Sequence, residues 1–201
     1  MRVTATSPVT RVTAPGIRAA RERIRDAIRV TPCWPSVALS SVAGVPVVLK
    51  CETMQVTGSF KIRGASNFVR LLPAAAHASG LVAASAGNHA QGIASAGRAA
   101  GIDVTVVMPA SAPLAKANAT RSYGARVILH GASLEDARVE AVAISERESR
   151  IFVPPFDDDA VIEGQGTVGI EILEQVPDLA EVLVPAGGGG LLAGVAVAIK
   201  D

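Results

Sequence analysis

The sequence is poor in aromatic residues, which make up 3% of its 201 positions. That is too few for the stacking platforms that hold single-stranded nucleic acid. It also lacks an excess of charge. Nineteen Lys and Arg against 18 Asp and Glu leave a formal net charge of +1, so no general field draws the chain toward nucleic acid or a membrane surface, and any anion binding must come from a local site. Cysteine is nearly absent: Cys33 and Cys51 have no C-x-x-C spacing and read as two buried thiols, not a disulfide framework. No run reaches the roughly 18 apolar residues of a membrane span, and residues 1–8 carry no apolar core of signal-peptide length, so the expected location is the cytoplasm. His77 and His130 have no partners at metal-ligand spacing, which argues against a zinc site. Lysine is the last scarcity, with Lys50, Lys61, Lys116 and Lys200 set against 15 arginines.

What is present is apolar and periodic. At 49% hydrophobic residues the chain can bury a substantial core. Residues 17–30 carry Ile17, Ala20, Ile24, Ala27 and Ile28 at helical spacing, which predicts an amphipathic helix ending before Thr31-Pro32. Residues 45–50 read as a short strand, and Gly58-Ser59 as a loop giving way to a helix that runs to about Leu72, with Lys61 in its first turn. Strands are then predicted at 81–84, 104–108, 125–129, 151–153 and 182–184. Between and after them come helices at 88–100, 113–123, 133–148, 161–175 and from 190. This alternation predicts an α/β fold with a parallel sheet wrapped by helices. The last helix has no stop signal and no following strand, so the sequence predicts a chain continuing beyond Asp201.

Three motifs carry chemistry. Gly187, Gly188, Gly189 and Gly190 follow an apolar run and precede a helix; successive N–H groups without side chains can converge on one phosphate, with the helix dipole behind them. Lys61, between Phe60 and Ile62, is either a solvated lysine or one held near neutrality that forms a Schiff base. A phosphate cup and such a lysine on one chain suggest pyridoxal phosphate. Ser85-Ala86-Gly87-Asn88-His89 lies where a strand turns into a helix. There Ser85 and Asn88 either cap the helix or, with the exposed N–H groups, receive a carboxylate and a phenolate-like oxygen. Gly164-Gln165-Gly166-Thr167 reads as close helix packing, since it matches neither a Walker loop nor a dinucleotide fingerprint.

Taken in order, Thr57-Gly58-Ser59-Phe60-Lys61-Ile62-Arg63-Gly64-Ala65, Ser85-Ala86-Gly87-Asn88-His89-Ala90-Gln91-Gly92, Val153-Pro154-Pro155-Phe156-Asp157, Gly164-Gln165-Gly166-Thr167 and the glycine run resemble the threonine dehydratase family of fold-type II pyridoxal phosphate enzymes. The resemblance runs from about residue 15 to the end. It implies a tryptophan synthase β-like fold of two parallel-sheet domains, with residues 1–78 and 157–201 belonging to a larger, incomplete cofactor domain and residues 79–156 forming the small one. By matching position, Lys61 is similar to the lysine that holds the cofactor and later removes the substrate α-proton, and Phe60 to the residue beside the cofactor ring. Asn88 is similar to the donor to the ring oxygen, and Gly187, Gly188, Gly189 and Gly190 to the phosphate loop. Ser85, Ala86 and His89 match the loop that receives the substrate carboxylate.

The implied reaction is α,β-elimination of L-threonine or L-serine to 2-oxobutanoate or pyruvate and ammonia, in cytoplasmic amino-acid metabolism such as isoleucine biosynthesis. Family racemases carry serine where this chain has Ala86, which cannot move a proton, so elimination is expected over racemisation. The alternatives are a serine racemase- or serine dehydratase-like enzyme, or a non-catalytic binding or oligomerising module. The implied partners are a small amino-acid substrate and, in the full-length family, further copies of the chain; nucleic acid, membrane and metal are not expected. Weak or no activity is predicted for these 201 residues alone, because the strands and ring-nitrogen partner that family members carry beyond the glycine loop are not in the sequence.

Overall fold

The computed structural model describes residues 12–200; expectations about residues 1–11 and Asp201 fall outside that range. The first helix, α1 (Ala14–Ile24), is opened by Thr13, whose hydroxyl accepts from Gly16 N at 3.1 Å, and it buries Ile17, Ala20 and Ile24. It starts and ends earlier than residues 17–30 predict. Beyond Ile24 the backbone is recruited elsewhere: the Gln55 amide takes both polar groups of Arg29, with Arg29 N donating to Oε1 and Nε2 donating to Arg29 O, each at 2.8 Å. Strand β1 (Cys33–Pro35) pairs antiparallel with β2 (Val48–Lys50). Between them α2 (Val37–Ala43), not anticipated from the sequence, is capped by Ser36 and stopped by Gly44 at φ 71°. A 3₁₀ turn at Glu52–Met54 leads to α3 (Lys61–Leu71) and the short α4 (Ala74–His77).

From here the expected alternation forms. Strands β3 (Leu81–Ala84), β4 (Val104–Met108), β5 (Arg126–Leu129) and β6 (Ile151–Phe152) make a fully parallel sheet in the order β5-β4-β3-β6. The crossovers are α5 (Asn88–Ala100), α6 (Leu114–Ser122) and α7 (Leu134–Glu148). Every residue of β3 and β4 is buried, as parallel strands covered on both faces require. Leu81, Ala83, Val104, Val106 and Met108 pack with Ile93 of α5, while Val82 and Val107 pack with Ala137, Ala141 and Ile144 of α7. Successive residues thus feed opposite faces.

The remaining helices, α8 (Asp159–Gln175) and α9 (Gly190–Lys200), pack with α1 and α3 into a second layer. A Cβ on Gly164 would stand 2.6 Å from Gly64 Cα and 2.7 Å from Arg63 O, and one on Gly166 would stand 2.9 Å from Gly194 O. The segment Gly164-Gln165-Gly166-Thr167 is therefore a packing surface on which α3 and α9 sit, as its sequence suggested. The strand expected at residues 182–184 is not formed. Val182 and Val184 pack on the Val168, Ile172 and Val195 cluster while Leu183 is exposed, and no strand among the described residues lies alongside to complete a ladder. Among the described residues no helix is long and apolar enough to cross a membrane.

In the order β5-β4-β3-β6 the chain builds outward from β3 to β4 and β5, then returns to add β6 on the other side of β3. The carboxyl ends of β3 and β6 therefore flank the point where the winding reverses, which is where open parallel sheets form a ligand crevice. The two segments leaving it are Ser85-Ala86-Gly87 and Val153-Pro154-Pro155.

Candidate active site

Lys61 is the first residue of α3 and leaves the helix toward this crevice. Its Nζ donates to the Pro155 carbonyl at 2.6 Å and lies 5.4 Å from the centroid of the Phe60 ring. Burial pushes the Lys61 ammonium below the usual lysine range, which raises the neutral fraction a nucleophilic amine needs. Phe60 in turn packs on the cluster of Val168, Ile172, Val195 and Leu191, joining the lysine to the start of α9.

The β3–α5 turn faces the same point. A Cβ on Gly92 would stand 3.2 Å from the Lys61 carbonyl carbon and oxygen, so α5 rests directly on the backbone of Lys61. Asn88 lies one turn back along α5, about 6 Å by helical rise, with its side chain exposed at the helix mouth. The N-cap is Gly87, not a side chain; its N–H donates to Ser85 Oγ at 3.2 Å. Ser85 and Ala86 are half-buried in the turn. The N–H groups at the start of α5 have no partner within the helix and form an anion-receiving end.

His89 behaves differently from a surface ligand. It is 5% exposed, and its Nε2 lies 3.2 Å from the Val153 carbonyl; a carbonyl only accepts, so Nε2 carries the proton. Burial, with the Lys61 charge adding to it, lowers its pKa from 6.5 to about 4. The imidazole is thus a neutral strut between α5 and the segment after β6. Because the folded protein keeps His89 neutral while the unfolded chain protonates it near pH 6.5, its contribution is complete above pH 6.5 and is lost as pH falls toward 4. The loss over that interval is on the order of a few kcal/mol. Urea unfolding between pH 7 and 4 is expected to show this loss in the wild type and not in His89→Gln; equal slopes in the two proteins would remove His89 as its source.

The segment Val153-Pro154-Pro155-Phe156 joins these parts. Val153 O accepts from His89, Pro155 O accepts from Lys61, and Phe156 lies against the glycine run. A Cβ on Gly188 would run into the Phe156 ring, and one on Gly190 would stand 2.7 Å from Phe156 O. Gly189 has φ 87°, whereas no atom lies within 4 Å of a Cβ built on Gly187 or Gly189. Gly190 opens α9, and Gly189 O accepts the first helical bond from Ala193 N at 2.9 Å, leaving the preceding N–H groups to face outward. Lys61, Phe60, His89, Gly188 and Gly190 are thus joined directly or through residues 153–156, and Ser85, Ala86 and Asn88 stand at the adjoining start of α5. Four more belong with them: Pro155 and Phe156, and Thr57 and Ser59, whose hydroxyls are buried without a hydrogen-bond partner a few residues before Lys61. Buried unpartnered hydroxyls are uncommon and mark a place where polar contact is expected.

The donor set fits pyridoxal phosphate. A desolvated lysine suits its aldehyde carbon, the open faces of Gly187 and Gly189 at a helix start suit its phosphate, and the buried hydroxyls beside Lys61 suit a polar occupant.

Comparison with known proteins agrees. The model of the family described as pyridoxal-phosphate dependent enzyme matches residues 24–201. An L-threonine ammonia-lyase of Geobacter sulfurreducens is 48% identical over 185 residues, covering 92% of this chain and 46% of that protein. Among solved structures, maize serine racemase superposes with a TM-score of 0.91 at 37% identity, covering 94% of this chain and 57% of the other. The processed threonine deaminase isoform 2 of Solanum lycopersicum gives 0.88 at 40%, covering 92% and 54%. The chain spans about half the length of the relatives it matches.

Proposed function

This chain belongs to the pyridoxal-phosphate dependent enzyme family, and from that premise we propose that the protein it belongs to is an ammonia-lyase. The reaction is α,β-elimination of L-threonine or L-serine, yielding 2-oxobutanoate or pyruvate and ammonia. The observation that carries the reading is Lys61: a half-buried amine with a lowered pKa, held by one backbone carbonyl at the switch point of a parallel sheet, with the open glycine run alongside.

Pyridoxal phosphate, when bound, withdraws electrons from the α-carbon of an amino acid joined to it and so acidifies the α-proton. The residues of this chain supply the rest. Lys61 Nζ holds the cofactor and later accepts the α-proton, and its desolvation favours the neutral base. Gly187, Gly188, Gly189 and Gly190, with the first N–H groups of α9, would hold the phosphate, while Asn88 would donate to the ring oxygen and Phe60 would serve as the aromatic neighbour of the cofactor. The N–H groups from Ser85 through His89 receive the substrate carboxylate, and His89 holds the Val153 segment in place. Residues 79–156 form the small domain, with the cofactor domain built from the flanking segments. The setting is the cytoplasm and amino-acid metabolism, with 2-oxobutanoate as an isoleucine precursor or a catabolic product, and the assembly is a homo-oligomer.

Racemisation is the second reading, favoured by the close superposition on maize serine racemase. Ala86 opposes it, since a methyl group cannot return a proton to the opposite face of the α-carbon. With the whole protein, pyridoxal phosphate and L-serine, the expected products are pyruvate and ammonia with no D-serine by chiral chromatography. D-serine as the main product would overturn the lyase reading, and cofactor binding without any keto acid would leave a binding module.

A further inference from the structure

Two residues beyond Lys61, Arg63 is wholly buried. Its guanidinium is held on both sides by carboxylates. Nε and Nη2 donate to Glu52 at 2.8 Å each, and Nη1 and Nη2 donate to Glu171 at 2.7 and 2.9 Å, with Thr167 Oγ1 accepting from Nη1 at 3.1 Å. Lys50 completes the balance, its Nζ 2.6 Å from Glu171 Oε2 and 2.5 Å from Thr31 O. The cluster thus holds two cations and two anions. Glu52 comes from the 3₁₀ turn, Glu171 and Thr167 from α8, and Lys50 from β2.

We propose that Arg63 is a positioning residue for Lys61: clamped between Glu52 and Glu171, it fixes the start of α3 on α8 and so the place of the Lys61 amine against Pro155 and the glycine run. Helical geometry supports this directly. Residues two apart project about 200° from one another, so Arg63 anchors the rear of the turn while Lys61 leaves its front. Phe60 at the N-cap makes no side-chain capping bond and the first turn contains no acidic residue, so the carboxylates that hold the turn come from elements outside the helix. The clamp also sits beside a close helix contact, Gly64 on Gly164, where Gly64 N donates to Gln165 Oε1 at 3.2 Å. From α8 the register passes to α9 through Gly166 and Gly194. Lys61 and the glycine run are therefore linked through one rigid path, Arg63 to α8 to α9. The planar fork of arginine can bridge two carboxylates at once, which an ammonium cannot do in the same geometry.

The inference takes its significance from Lys61 as the cofactor lysine, but its test does not depend on that reading. Removing one charge would strand its partner, so the main variant is the charge-neutral double Lys50→Met/Glu171→Met, which leaves Arg63 balanced by Glu52 and cuts its ionic link to α8. Two readouts are taken. One is the pH midpoint of Lys61 acetylation by an amine-reactive ester, read by mass spectrometry with exposed Lys116 and Lys200 as internal references. The other is the apparent Kd for pyridoxal phosphate from imine absorbance. The double variant is expected to move the Lys61 midpoint up and to weaken cofactor binding at least tenfold. Arg63→Lys is expected to do the same in part, and Ile144→Val, a remote core variant in the small domain, to leave both readouts unchanged. A folded double variant, or Arg63→Lys, with wild-type values in both readouts overturns the proposal, as does an equal change in Ile144→Val. A shifted midpoint in a protein whose wild type forms no imine supports the positioning role and refutes the cofactor reading instead.

Discussion

Lys61→Ala, made in the whole protein, is expected to abolish imine absorbance with pyridoxal phosphate and to reduce keto acid formation by at least about 10³-fold, since the residue serves as both covalent anchor and base. The fold should survive this change. Lys61 donates one hydrogen bond, to Pro155 O, but the same burial that lowers its pKa means that removing the ammonium also relieves a desolvation cost. Far-UV circular dichroism and the urea midpoint are therefore expected to stay close to wild type, so that loss of absorbance reports chemistry and not unfolding. Lys61→Arg sharpens the comparison. It retains a cation that can reach Pro155 O, yet a guanidinium does not form a stable imine, so it should be as inactive as the alanine variant. Imine absorbance or undiminished keto acid production in either variant would remove Lys61 from the centre of the site.

The parts of this molecule legible in the sequence are those determined by local pattern. Strands β3 and β4 are short, apolar except for Thr105 and bounded by glycine or turn residues, and each forms where its pattern predicts. The motifs bearing Lys61 and Asn88 are legible for the same reason: each stands at a loop-to-helix junction that a few neighbouring residues define. Residues 182–184 show the limit. An apolar run records a capacity to pair, whereas a strand also needs a neighbour, and none of the described residues supplies one. Helix α2 failed in the other direction: it is short and its apolar residues Val37, Leu39 and Val42 stay exposed, and the signals that announce it are Ser36 and Gly44, its cap and its stop. In the site, the missing information was long-range. Lys61 and Pro155 are 94 positions apart, and nothing near either residue in sequence encodes the contact. Arg63 shows a related blindness: a charged residue among apolar ones reads as a solvated helix position until Glu52 and Glu171 are brought to it by other elements.

The glycines divide by what surrounds them, and the division predicts opposite phenotypes. At Gly164 the obstacle to a methyl group is backbone, with Gly64 Cα at 2.6 Å and Arg63 O at 2.7 Å, so no side-chain rotation relieves the clash and α3 must move off α8. Overpacking of this kind costs about 1–3 kcal/mol, offset by roughly 0.5–1 kcal/mol gained from alanine in a helix interior. Gly164→Ala is therefore expected to lose about 1 kcal/mol in urea unfolding whether or not cofactor is present, and to lose cofactor binding through the displaced Lys61. At Gly187 nothing stands within 4 Å of the new Cβ and the residue is exposed, so Gly187→Ala should leave stability within about 0.5 kcal/mol. Its effect should appear only with ligand. A methyl group on the inner face of the cup would deprive the phosphate of one or more charge-assisted N–H contacts, worth about 1.5–3 kcal/mol each, or roughly 10- to 100-fold in the Kd for pyridoxal phosphate. Inorganic phosphate competing with the cofactor should lose affinity in parallel, which separates damage to the cup from damage to Lys61. Should Gly187→Ala bind both as wild type does, residues 187–190 are a plain turn into α9 and the phosphate must be held elsewhere.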